Sequence, residues 1–97
     1  MATDKIVGTV VKKRSGCDYF IIEVNSDYVV GEWFGGYDPD EGDVLIGDFN
    51  QYGTHDFEVA RLKRNTRLWI EDFWLSLDRA KEVWKDKCNL NENEEDE

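Results

Sequence analysis

The stretch from Tyr28 to Glu58 constrains this chain more than any other. It holds six of the eight glycines, the single proline, six aromatic residues besides Tyr28, and no lysine or arginine. A glycine inside a strand marks a bulge or a bend, and proline locks its own backbone angle and removes a donor. The stretch therefore reads as short strands parted by turns. The residues before Tyr28 read as two strands able to join it in one sheet. The residues after Glu58 read as closing strands, a helix and an acidic tail.

Taken in order, valine-rich Lys5–Lys13 is the first expected strand, with Gly8 marking a bulge or bend. Asp18–Val24 is the second, its aromatic and β-branched content suiting a pleated surface. Asn25, Ser26 and Asp27 supply a turn, because Asn and Asp tolerate left-handed backbone and bond locally. Tyr28–Phe34, Asp43–Phe49 and Asp56–Leu62 are the third, fourth and fifth strands, with Gly31 and Gly47 again suggesting curvature. The loop Gly35–Gly42 is the longest break, and 50–54 is a turn. Arg67–Glu71 alternates as a short sixth strand would. Ser76 suits an N-cap, with Asp78 in the first turn and Lys85 and Lys87 in the last. Leu77, Ala80, Val83, Trp84 and Cys88 then share one face, so Leu77–Cys88 reads as a helix packed on the sheet or across a barrel end.

Ninety-seven residues suit one domain. Residues 1–88 read as a single small β-barrel-like domain with a C-terminal helix, and 89–97 as a disordered acidic tail. The fold class is mainly β: a five- or six-stranded curled sheet or barrel. Over roughly residues 5–71 the strand count and spacing resemble an SH3-like barrel or an OB-fold. The loop Gly35–Gly42 has no room for the helix that an OB-fold carries there, so the SH3-like alternative stands beside it.

No apolar run is long enough to span a bilayer, and the first residues lack the apolar core of a secretory signal. A cytoplasmic protein is therefore the default. For Cys17 and Cys88 in that setting the default is a pair of free structural thiols, with a single bridge open if the two ends meet in space. No cysteine or histidine spacing suits zinc. Asp38, Asp40, Glu41 and Asp43 cluster oxygens on one loop, but Gly42 interrupts the ligand pattern, so a polar turn is expected and no metal or cofactor. His55 is the only histidine, and no nucleophile motif flanks any Ser or Cys, so no catalytic residue is assigned and the chain reads as a non-enzyme.

Charge and aromatics point to binding instead. The net charge is -10, and between Ser15 and Ala60 there are 11 acids and no base. An acidic, aromatic-bearing face presented to a basic protein is the first expectation, with Trp33, Tyr37, Asp38, Asp40, Asp43 and Tyr52 as its residues. In Trp33-Phe34 and Phe73-Trp74, strand neighbours face opposite sides, so one of each pair is core and the other exposed. The alternative is a single-stranded nucleic-acid binder using stacked rings and a basic patch of Lys12, Lys13, Arg14, Arg61, Lys63, Arg64 and Arg67, provided the first and fifth strands lie close. The net charge weighs against it. A further alternative is an acidic mimic of nucleic acid.

Overall fold

The computed structural model of the chain describes residues 6–14 and 16–88. Its elements are β1 (Ile6–Lys13), β2 (Tyr19–Val24), β3 (Asp27–Gly36), β4 (Val44–Gly47), β5 (Gly53–Val59), β6 (Arg64–Leu75) and α1 (Leu77–Lys87). The protein is mainly β, a closed six-stranded antiparallel barrel with one C-terminal helix. The strands run β1-β2-β3-β6-β5-β4 around the barrel, and β4 closes it against β1. Two three-stranded meanders are thus joined along β3–β6 and β1–β4. The expected acidic tail, 89–97, lies outside the described residues, as do Lys5 at the expected start of the first strand and Ser15.

Alternation along the strands explains the closure. Val10 on β1, Phe20, Ile22 and Val24 on β2, Val29 on β3, Leu45 on β4, Phe57 and Val59 on β5 and Leu68 and Ile70 on β6 fill the interior, with Phe49 from the loop after β4. A second core lies outside the barrel wall. Ile21 and Val30 point outward from β2 and β3 and are buried beneath Ala80 and Trp84 of α1. That is why β2 reads as the unbroken apolar run Phe20-Ile21-Ile22, since both of its faces are covered. The helix therefore packs on the wall and does not plug an end. Ser76 caps it as its sequence suggests, accepting the Arg79 amide at 3.1 Å.

Asn25 and Ser26 form the two-residue β2–β3 turn with φ of 52° and 74°, between the facing residues Val24 and Asp27. Left-handed backbone at both positions matches the twist of the flanking strands. Elsewhere the strands depart from expectation. The fifth ends at Val59, because residues 60–63 turn back with Lys63 at φ 53° and its amide on the Val59 carbonyl. Arg61 and Leu62 are therefore turn residues. The sixth strand, expected as Arg67–Glu71, is the longest of all because its two pairings are offset: β5 pairs Arg64–Ile70 and β3 pairs Thr66–Leu75.

Gly8 does not mark a bulge. The β1–β2 register slips between Val10 and Lys12, whereas Gly8 is packed so tightly that a Cβ there would meet Ile22 at 2.7 Å. Gly47 is the same case, where a Cβ would run into the ring of Phe57. Both glycines make room for large core side chains.

The expectation of free thiols is corrected: Cys17 and Cys88 form a disulfide with Cα atoms 5.7 Å apart. The docking of α1 over β2 carries the helix C-terminus back to the segment just before β2, so residues 71 apart in sequence meet. No helix among the described residues is long and apolar enough to cross a membrane.

Candidate binding surfaces

The β3–β4 loop, residues 37–43, carries all three acids expected to face a partner, and two cations of the chain, Lys13 and Arg61, reach into it. Lys13 Nζ bonds Asp38 Oδ1 at 2.7 Å and the Pro39 carbonyl, and lies 3.9 Å from Asp40. Its backbone amide donates to Glu41 Oε2 at 2.9 Å. Asp43 is only 3% exposed. Arg61 reaches it from the β5–β6 turn, Nε to Oδ1 at 2.5 Å and Nη2 to Oδ2 at 3.5 Å, and also donates to the Tyr37 hydroxyl at 2.9 Å. The Asp40 amide donates to the other Asp43 oxygen at 2.8 Å. Burial alone would raise the Asp43 pKa, but the hydrogen bonds from Arg61 and from the Asp40 amide outweigh it and hold the carboxyl below the usual aspartate range. The same bond to Asp43 pushes the Arg61 guanidinium up. Arg61 and Arg64 also lie over the Tyr37 ring, each 5.9 Å from its centre. Trp33 faces inward against the barrel core, its Nε1 donating to the Tyr37 carbonyl at 3.2 Å.

Trp33, Tyr37, Asp38, Asp40 and Asp43 are thus brought together, at a joint between β1, the loop and the β5–β6 turn in which Asp43 is buried and Asp38 and Asp40 stay exposed. Tyr52 lies apart from them, on the β4–β5 loop. The seven basic residues do not form one patch. The condition for it was adjacency of the first and fifth strands, and β4 lies between them. Lys13, Arg61 and Arg64 surround the acidic loop, and Lys63 is in the exposed turn beside it. Arg14 and Cys17 line a cleft of about 400 Å³ with Asp18 and Asp38. Lys12 lines a groove of about 320 Å³ with Val11, Ile21, Tyr28 and Leu77. Arg67 stands on the outer wall, paired to Asp56 at 2.9 Å, which pushes the Asp56 carboxyl down and the guanidinium up.

The exposed aromatics lie elsewhere. On the outer wall, Phe34 of β3 (55% exposed) stacks on Trp69 of β6 (38% exposed), with ring centres 6.3 Å apart. Trp69 Nε1 donates to Glu71 Oε1 at 3.1 Å. Beside the pair, Gly35, Gly36, Asp56, Asn65, Thr66 and Arg67 line a shallow polar groove. The second group is Tyr52 (62% exposed), Phe73 and Trp74 (41% exposed). Tyr52 packs on Phe73 at 4.7 Å, and Phe73 meets Trp74 edge to face at 5.7 Å. The Tyr52 hydroxyl donates to Asp72 Oδ1 at 3.2 Å, and the Asp72 charge, then that hydrogen bond, then partial burial raise the phenol pKa.

Sequence reasoning expected one ring of each adjacent pair to be exposed, as Phe34 and Trp74 are, but did not say which, and it did not place Trp69 on the outside. The usable signal was strand alternation. It breaks at register slips between Trp33 and Gly35 and between Tyr28 and Val30, which only the pairing reveals. In the turn after β4 the Asn50 backbone N–H donates to Asp48 Oδ1 at 3.2 Å and the Gln51 side-chain amide donates to Asp48 Oδ2 at 3.0 Å. His55 Nε2 bonds the Tyr52 carbonyl at 3.0 Å, and Cys17 is in the disulfide, so the two do not act on one another. Among the described residues no three His, Cys, Asp or Glu side chains are grouped to hold a metal ion. Comparison with family models, with curated proteins and with solved structures gives no match.

Proposed function

We propose that this protein is a non-enzymatic binding module whose barrel wall takes up a basic segment of another protein. One observation carries the proposal: the exposed stack of Phe34 on Trp69. Large rings left in water on a rigid wall are what a partner covers to gain affinity. Two carboxylates adjoin them: Glu32 faces Trp69 across β3 and β6, and Glu71, which also pairs with Lys87 at 3.3 Å, accepts the indole N–H. The chain's net charge of -10 draws a positive partner from a distance and repels nucleic acid. The contact residues we favour keep Tyr52 from the expected set and add Phe34, Trp69 and Trp74, because Asp43 is buried and Trp33 faces inward.

The test is a tryptophan-fluorescence titration with lysine- and arginine-rich peptides and, separately, with mixed-sequence single-stranded DNA, at low and moderate salt. Basic peptides should quench, more weakly at higher salt, and a Phe34→Ser, Trp69→Ser variant should lose about tenfold in affinity or more. Absence of peptide binding, or binding indifferent to the double variant, overturns the proposal. Steeply salt-dependent binding of DNA would instead favour the nucleic-acid alternative.

A further inference from the structure

Trp74 has a backbone that does not suit it. Among the described residues four that are not glycine have positive φ, and three of them, Asn25, Ser26 and Lys63, lie in turns. The fourth is Trp74, at φ 56° inside β6. Left-handed backbone brings the Cβ of such a residue too close to a carbonyl oxygen and is unfavourable for it. The cause is local: Tyr28 faces Leu75 and Val30 faces Asp72, so Phe73 and Trp74 together oppose the single residue Val29. A bulge of this kind re-aims a side chain. Here Phe73 packs against the core while Trp74 is turned out to solvent beside it.

The surroundings of Trp74 are ordered. Asp72 Oδ1 accepts the Phe73 amide at 3.0 Å and the Tyr52 hydroxyl at 3.2 Å, which fixes the carboxylate and holds Tyr52 over Phe73. The planes of Tyr52 and Phe73 are inclined by 43°, those of Phe73 and Trp74 by 78°. Two exposed rings, a third between them and one immobilised carboxylate therefore meet at the β4–β5 loop and the end of β6.

We infer that the corner of Tyr52, Asp72, Phe73 and Trp74 binds an alkylammonium group, the charged end of a lysine side chain and in particular its trimethylated form. Ring faces attract such a cation through their quadrupoles, and a diffuse methylated ammonium gives up less hydration than a bare one when it leaves water. The rings contact its methyl groups while Asp72 opposes its charge. A neutral ligand would gain nothing from the carboxylate, and an anion would be repelled by it. This rests on the reading of the protein as a module for a basic partner, and names the group on that partner which is read.

The test uses the full chain and three peptides of one basic sequence. One carries lysine, one trimethyl-lysine, and one a neutral carbon isostere of trimethyl-lysine. The indole N–H signals of Trp69 and Trp74 are followed separately by NMR. The trimethyl-lysine peptide should bind about tenfold more tightly than the neutral isostere and shift Trp74 most. Tyr52→Ala and Trp74→Gly should each remove that preference. Trp74→Gly should also keep or raise the melting temperature, since glycine accepts the left-handed backbone, so a loss of binding cannot be ascribed to unfolding. Equal binding of the isostere, or an unchanged preference in Trp74→Gly, overturns the inference. If the basic peptides still bind through Phe34 and Trp69, the inference alone has failed; if none of them binds, the proposed function has failed with it.

Discussion

The indole N–H of Trp84 donates to the backbone carbonyl of Tyr19 at 2.9 Å, joining residues 65 apart in sequence. The Trp84 ring is fully buried between α1 and the outer wall of β2 and β3, with Ala80, Ile21 and Val30. One side chain thus fills the second core and satisfies the carbonyl at the entry to β2. Trp84→Ala should cost about 3–5 kcal/mol by analogy with other large core truncations. Trp84→Phe should cost less, through the lost hydrogen bond and the smaller ring. Urea unfolding measures both. Should Trp84→Ala cost no more than Leu77→Ala, at an exposed position of the same helix, the clamp does not exist.

The Cys17–Cys88 bridge closes a long loop, so it should stabilise chiefly by restricting the unfolded chain, by at most about 4 kcal/mol. Thiol labelling of the denatured, unreduced protein should find neither cysteine free. The Cys17→Ser, Cys88→Ser variant should melt at a lower temperature. Its hydrogen exchange should accelerate first in α1, because the barrel interior draws no side chain from the helix. Exchange rising equally in β5 and α1 would contradict this separation.

Asp43 and Arg61 set a pH dependence. The folded carboxyl titrates below its ordinary value of 3.8, so the folded state holds fewer protons than the unfolded chain in that range. The contribution is whole above the ordinary aspartate range and is lost as pH falls through the folded pKa. Arg61→Gln should therefore lower the melting temperature by several degrees near neutrality. The gap to the unmodified protein should close as pH drops below 3.8. A gap of constant size would show that Arg61 acts by packing and not by charge.

Gly47→Ala should destabilise by about 1–3 kcal/mol, as overpacking of a filled core does. The new methyl would collide with Phe57, which is buried and packed on Phe49 with ring centres 4.6 Å apart. Phe57→Leu added to Gly47→Ala should recover part of the loss, giving a favourable coupling in a double-mutant cycle. Additive losses would mean the clash is relieved elsewhere.

Much of the barrel was legible in the chain. Strand neighbours alternate sides, so period-two patterns in β5 and the double-sided apolar run of β2 carry their burial with them. The Asn25–Ser26 turn and the Ser76 cap are written in residues whose local chemistry favours them wherever they stand. The binding surface was less legible. The acids crowd in sequence at Asp38, Asp40 and Asp43, but only the fold shows that Asp43 is buried on Arg61 while Asp38 and Asp40 stay exposed beside Lys13.

What the chain determined by itself, then, was local: that six segments extend, the turn at Asn25–Ser26, where the helix begins, and that the molecule is acidic and rich in aromatics. What only the tertiary structure decided was every relation across the barrel: the β1–β4 closure, the Cys17–Cys88 bridge, the Asp43–Arg61 pair, and the outward turn of Phe34 and Trp74. The reason is that short-range preferences act through a residue's own backbone and near neighbours. Register slips, bridges and ion pairs depend on which distant segments the closed sheet places side by side.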